Sequence, residues 1–159
     1  MEIQINSRKY GAHTLIIDDS DYEAVSKHKW WVQYQADKRR LHAVCTKVKR
    51  KYLALHTYLT GYKITDHVNG NVLDNRRENL RNCTIAENSR NRKISLINKS
   101  GYKGVIRFRG KWRATITVNN ICIFISDYDS KEDAAKAYNQ AAIKYHGEFA
   151  RLNIIEETV

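Results

Sequence analysis

From residue 64 to residue 92 the chain reads ITDHVNGNVLDNRRENLRNCTIAENSRNR. Asp66 and His67 set a hard oxygen donor beside a nitrogen base. A carboxylate favours Mg²⁺ or a similar cation, which in turn binds phosphate oxygens. A neutral histidine, with an ordinary pKa of ~6.5, can take a proton from water at neutral pH. Six of the asparagines that follow (Asn69, Asn71, Asn75, Asn79, Asn82 and Asn88) are able to order a loop or complete a metal shell without adding charge. Arg76, Arg77, Arg81, Arg90 and Arg92 would surround the pair with positive charge. These parts suggest metal-assisted hydrolysis of a phosphodiester. Taken alone, an Asp-His dipeptide is more often structural than catalytic, and a run of asparagines is equally a run of turns.

Several elements must hold these residues. Residues 15–17 read as a strand, 18–28 as a short capped helix, and 30–35 with 41–47 as a hairpin around Asp37-Lys38-Arg39. Residues 52–59 are apolar, and strand and helix are equally compatible with them. A helix starts near Thr84, with Glu87 at the capping-box position, and runs through Ala86, Asn88 and Arg90. The chain has no proline. The polar, aperiodic stretch 91–100, ending before Gly101, is read as the linker between two pieces.

The later piece has clear periods. Residues 102–109 form a strand and Gly110-Lys111 a turn, and in 112–118 Trp112, Ala114, Ile116 and Val118 alternate with Arg113, Thr115 and Thr117. Asn119-Asn120 is a second turn and 121–126 a third strand. Ser130 is the N-cap of a helix whose apolar stripe is Ala134, Ala137, Tyr138, Ala141 and Tyr145, ended by Gly147. A three-stranded antiparallel sheet covered by one helix is expected there.

Composition bounds the function. The 159 residues suit one ordinary domain or two small ones, and 42% apolar with 28% charged residues supports a packed core. Mean hydropathy is −0.64, and no apolar run is long enough to span a bilayer, so a membrane role is not expected. No secretory leader is visible at the N-terminus, and Cys45, Cys83 and Cys122 fit neither a disulfide framework nor a zinc ribbon, so a cytoplasmic protein with reduced thiols is expected. The net charge of +11 points to a polyanionic partner. That charge is uneven: residues 1–75 carry a net +4, residues 76–113 a net +10, and residues 114–159 a net −3. The middle segment interleaves its cations with Tyr102, Phe108 and Trp112, a mix suited to phosphates and base edges. The first segment and the acidic tail are expected to face away from nucleic acid.

Residues 55–91 resemble the HNH homing-endonuclease family, in its phage and intron-encoded branch with a ββα-metal core. The carriers are Leu55-His56, Asp66-His67-Val68-Asn69-Gly70, the run LDNRRENLR at 73–81, and Ala86-Glu87-Asn88, in order and at family spacing. Asp18 to Tyr22 and Lys29-Trp30-Trp31 are similar to the leading segment of such nucleases. The resemblance implies Asp66 and Asn88 as metal ligands and His67 as the general base. It implies Asn79 as the residue that pins the loop and orients the histidine, and His56 as a packing residue. Asp66 and Asn88 stand where other branches carry histidines, which favours Mg²⁺ or Mn²⁺ over zinc.

Residues 100–153 resemble the apetala-type (ethylene-response-factor) DNA-binding domain. The carriers are Ser100-Gly101-Tyr102-Lys103-Gly104-Val105, Gly110-Lys111-Trp112-Arg113-Ala114, the helix from Glu132 to Ala142, Gly147 and Leu152-Asn153. In that family the sheet enters the major groove, so Lys103, Arg107, Arg109, Lys111, Trp112, Arg113 and Thr115 become candidate DNA contacts, with Trp112 equally readable as core.

The expected fold class is therefore α+β: an N-terminal region with an HNH ββα-metal nuclease core (1–90, core 55–91), a linker at 91–100, and a sheet-plus-helix DNA-binding domain at 101–159. The expected activity is endonucleolytic hydrolysis of double-stranded DNA by a monomer or weak dimer with one divalent cation, nicking rather than cutting both strands. The alternative is a sequence-specific DNA-binding protein whose nuclease is inactive. RNA binding is a third reading, resting on charge and aromatics alone.

Overall fold

The computed structural model describes residues 1–34, 41–48, 51–95 and 97–156. The expected turn at Asp37-Lys38-Arg39 lies outside the described residues. The chain divides into two compact units, Met1–Thr84 and Ile85–Val159. That division falls just before the helix containing Asn88, ahead of the 91–100 stretch read as the linker. The architecture is α+β, with small antiparallel sheets in both units.

In the first unit β1 (Glu2–Ser7) pairs with β2 (Gly11–Ile16). A single 3-10 turn, Asp19–Asp21, leads into α1 (Tyr22–Ser26), which is shorter than the helix expected over 18–28. The reason is local: the Val25 carbonyl accepts the Trp30 indole N–H at 2.8 Å and the His28 amide at 3.2 Å, and the helical ladder stops there. β3 (Trp31–Tyr34), β4 (Leu41–Val48) and β5 (Lys51–Ala54) form one sheet in that order. α2 (Leu55–Thr60) follows β5 without a loop, so the apolar run at 52–59 is strand first and helix after. Ile5, Leu15, Ile17, Val25, Val32, Val44 and Leu55 form the core. On this scaffold sits a two-stranded ribbon, β6 (Thr65–His67) with β7 (Leu80–Asn82).

In the second unit α3 (Ile85–Arg90) precedes the three-stranded sheet β8 (Val105–Phe108), β9 (Lys111–Val118) and β10 (Ile121–Tyr128), ordered β10-β9-β8. The turns between strands use positive φ at Arg109 and Gly110, then at Asn119 and Asn120, the backbone that tight hairpins of this twist require. α4 (Lys131–His146) is capped by Ser130, whose hydroxyl accepts the amides of Glu132 and Asp133.

α4 buries Ala134, Ala135, Tyr138, Ala142 and His146 against the sheet, while Tyr145 is exposed. The expected stripe thus turns by one position at its C-terminal end, because His146 gains the Thr117 carbonyl as a ring partner at 3.0 Å. Gly104 lets helix and sheet meet: at φ 74° a Cβ there would lie 2.0 Å from the Tyr138 ring and 2.7 Å from Thr115 O. Asn153 closes the unit, bonding both the amide and carbonyl of Lys103 and exchanging two bonds with Asn139.

Among the described residues, no helix is long and apolar enough to cross a membrane.

Candidate functional site

A three-residue strand can hold a catalytic pair only if its backbone is fixed on both sides. β6 is fixed by β7, with Asp66 opposite Arg81 and His67 opposite Leu80. After His67 the chain turns sharply: His67 O accepts the Gly70 amide at 2.7 Å, with Gly70 at φ 69°. The following loop is tied to the end of β2, where Ile16 N donates to Leu73 O and Asn75 N to Ile16 O, both at 2.8 Å.

Asn79 locks the loop from within. Its Nδ2 donates to Asp74 O at 2.7 Å and Asn69 Oδ1 at 3.1 Å, while its Oδ1 accepts the Asn69 amide at 2.9 Å. Asp66, His67, Asp74, Asn75 and Asn79 are all buried.

The His67 ring meets Asn75, with Nε2 3.3 Å from Asn75 Oδ1. The Asn75 Nδ2 donates to Val72 O at 3.0 Å, which turns its Oδ1 toward the ring. An acceptor facing Nε2 favours the tautomer with its proton on Nε2, in which the lone pair is on Nδ1. Burial pushes the His67 pKa below its ordinary value, against the opposing effects of Asn75, Asp66 and Asp74, so the neutral ring is favoured. The His56 ring packs edge-on against it, with centroids 5.3 Å apart.

Asp66 Oδ2 accepts both Nε and Nη2 of Arg81, at 2.9 and 2.6 Å. The cation expected at a phosphate is thus the cross-strand counter-charge of a buried carboxylate. Arg76 grips Asp74 with two nitrogens (2.9 and 2.8 Å) and also reaches Glu78, holding the Asp74 carboxyl below its usual range. Arg77 grips Asp21 (3.1 and 2.7 Å) and its amide donates to Asp18. Two acids of the Asp18–Tyr22 segment therefore anchor the turn that presents Asn79.

In the second unit, Asn88 is exposed on α3. The Lys103 ammonium lies on the carbonyls of Arg90 and Arg92, closing the C-terminal end of that helix. Desolvation and Arg151 push its pKa down to about 8. Arg92 is exposed.

On the sheet, Trp112 packs on the core side and Arg107, its cross-strand partner, lies over its ring with Cζ 4.9 Å from the centroid. Arg113 and Thr115 lie on the opposite face. There Arg113 sits between Phe108 (3.6 Å) and Phe124 (4.8 Å) and is held by both carboxylate oxygens of Asp127, each at 2.8 Å. Arg109 lies over Phe108, and Lys111 pairs with Asp129 at 3.3 Å.

The structure thus brings Asp66, His67, Asn79 and Arg81 into one buried ribbon and loop. It divides the sheet candidates between two faces. Sequence reading missed Asn75, Asp74, Asp18 and Asp21 as supports. Their only signal was the motif spacing, since each acts on a residue that becomes a neighbour after folding.

The hard-cation expectation can be tested against the donors present. Asp66 belongs to the first unit and Asn88 to the second; by type a carboxylate and an amide oxygen are donors that suit Mg²⁺ or Mn²⁺, which keep water and phosphate in their remaining positions. Among the described residues, no three His, Cys, Asp or Glu side chains gather as a metal-holding group.

No family model matches the chain, and no solved structure matches it. Curated proteins do. Protein 3.8 of Escherichia phage T7 is 38% identical over 93 residues, 57% of this chain and 75% of that protein. The ethylene-responsive transcription factor ERN3 of Medicago truncatula is 39% identical over 70 residues, 42% of this chain but 29% of that protein. "Uncharacterized HNH endonuclease L560" of Acanthamoeba polyphaga mimivirus is 31% identical over 140 residues, covering 83% of this chain and 70% of that protein. Likeness at that level, over so much of both proteins, makes this chain a member of the HNH endonuclease family.

Proposed function

We propose that the protein is a DNA endonuclease in which His67 is the general base of phosphodiester hydrolysis. The observation that carries this reading is the Asn75–His67 contact: a buried, neutral imidazole with its proton assigned to Nε2, next to Asp66, in a chain of this family. Nδ1 takes a proton from water, the water oxygen bonds to phosphorus, and the P–O3′ bond opposite it breaks. The products are a 5′-phosphate and a 3′-hydroxyl. Asp66 would hold one divalent cation, Mg²⁺ or Mn²⁺, which when bound supplies positive charge against the scissile phosphate and the departing oxygen. Asn79 keeps the loop rigid, and Asn75, rather than Asn79, orients the ring.

The second unit supplies binding through an apetala-type sheet. The outer face with Arg113, Thr115 and Lys111 is proposed as the main DNA face, Arg109 lies in its first turn, and Arg107 flanks it from the Trp112 side. Lys103 is assigned to the end of α3 instead. Arg76, Arg77 and Arg81 brace the loop, so their phosphate contacts require shared or exchanged partners, and Arg90 and Arg92 flank the far end of α3. One set of reacting groups per chain favours nicking.

Supercoiled plasmid incubated with the protein and Mg²⁺ tests this. Conversion to open circles ahead of linear product is expected, and it should be abolished by EDTA. DNA binding without cleavage in Mg²⁺ or Mn²⁺ would instead support the reading of a DNA-binding protein with an inactive nuclease. The Arg81 grip on Asp66 is the observation that favours that second reading.

A further inference from the structure

The first 75 residues carry a modest net charge of +4, but it is not spread evenly. Residues 34–52 hold seven basic side chains and one acid, a net of +6, so the rest of that segment is net acidic. This is the stretch that supplies β4, the central strand of the sheet β3-β4-β5, and begins β5.

Register sorts the side chains of this sheet by face. Trp31 lies opposite Cys45, Cys45 opposite Ala54, and Lys47 opposite Tyr52. Since alternate residues share a face, Trp31, Gln33, Lys47 and Tyr52 all point to the side away from Val32 and Val44, which belong to the core.

On that outer side, Tyr52 is 73% exposed and meets Trp31 edge-on, with centroids 6.0 Å apart. The Lys47 ammonium lies 5.6 Å from the Tyr52 centroid, whereas Lys51, opposite Val48, takes the other face. A tyrosine so exposed yet fixed by two neighbours costs solvation without serving the core. Its chemistry, and that of a lysine held on its ring, suits a phosphate-sugar backbone, which accepts hydrogen bonds from Tyr and Lys side chains.

We propose that this outer face is a second DNA-contacting surface, in which Lys47 and Tyr52 engage the phosphodiester backbone of the duplex. The proposal rests on the DNA reading above but not on catalysis. It reverses the expectation that the N-terminal region faces away from DNA.

The test is binding of the full chain to a fluorescein-labelled duplex, read by anisotropy in EDTA across a KCl series. Without metal the outcome does not depend on cleavage. Each phosphate contact contributes about −0.9 to the slope of log K against log salt, so K47Q should flatten that slope by about one and weaken binding about fivefold or more near ~0.1 M salt. Y52A should weaken binding while leaving the slope unchanged. Both variants alter exposed positions, and unchanged circular dichroism identifies them as folded; K51Q, on the opposite face, should leave affinity within about twofold of the wild type.

Wild-type affinity and slope retained in K47Q would overturn this surface while leaving the nuclease reading intact. Absence of duplex binding by the wild type would overturn both. A duplex RNA of equal length that displaces the DNA at equal concentration would overturn the assignment to DNA.

Discussion

A histidine can act as a base only through a ring nitrogen that keeps its lone pair, and at His67 the amide of Asn75 decides which one does. Removing that amide frees the ring to choose tautomers. N75A should therefore lower the cleavage rate constant by about tenfold or more while DNA affinity in EDTA stays within about twofold, since an unoriented base loses much of the roughly 10²–10⁴ such groups supply. A ¹⁵N spectrum of the His67 ring checks the cause directly: the wild type should show Nε2 protonated, and N75A a mixture.

Asp66 and Arg81 raise a separate question of stability. R81Q strips a buried carboxylate of its bidentate partner and should cost about 3 kcal/mol in urea unfolding, the order found when one partner of a buried pair is removed. At this scale the sequence was legible for Asp66 and His67, because an adjacent acid and base advertise chemistry by type. It was not legible for Asn75, one asparagine among several, whose oxygen reaches a ring eight residues earlier only after the loop closes. The arginines were legible as charge but not as braces, because Asp21 and Arg77 lie 56 residues apart in sequence.

Elements with a single clear period were read well, and those at a boundary were not. The alternation in 112–118 gave the faces of β9 as they stand, with Ala114 and Ile116 buried and Arg113 opposite. Ser130 was legible as a cap because its hydroxyl serves the two amides nearest in sequence. The run at 52–59 stayed ambiguous because a strand and a helix share it at Ala54 and Leu55, and apolar content alone cannot mark that joint. The C-terminal half of the α4 stripe was misplaced because Tyr145 and His146 both lie at helical spacing, and only the Thr117 carbonyl chooses between them.

Two outcomes belong to this scale. G104A should destabilise the protein by about 2–4 kcal/mol in urea unfolding, since a Cβ at positive φ would strike both a ring and a carbonyl. S130A should cost about 1 kcal/mol through the lost cap.

The pH dependence of stability follows from two buried groups of the second unit. Lys103 titrates at about 8 in the fold against 10.5 as its ordinary value, so from pH 8 upward the unfolded chain binds more protons and stability rises with pH, at up to about 1.4 kcal/mol per unit. Tyr138 is pushed up to about 12 from 10.0, so above pH 10 the fold holds a proton that the unfolded chain releases, and stability falls. Urea unfolding should show stability rising from pH 7.5 to 9.5 and levelling off between 9.5 and 11, where the two contributions nearly cancel, and K103M should flatten the rise.

For the molecule as a whole, charge licensed a polyanionic partner, and its placement now distinguishes several uses of it. Arg76, Arg77 and Arg81 spend much of their charge on internal carboxylates, Arg113 lies between two aromatic rings and is also paired with Asp127, and Lys47 stands on an exposed tyrosine. A count of cations along the chain could not separate these, because it ignores which acids the fold brings to them.

Membership in the HNH endonuclease family and the geometry around His67 converge on one central claim, that this imidazole activates the water that cleaves DNA. The measurement closest to it is single-turnover cleavage of an end-labelled duplex in Mg²⁺ by wild type and H67A, with binding of both measured in EDTA. The account predicts that H67A binds as the wild type does but cleaves about 10²–10⁴ times more slowly. Equal cleavage rates in the two proteins would contradict it.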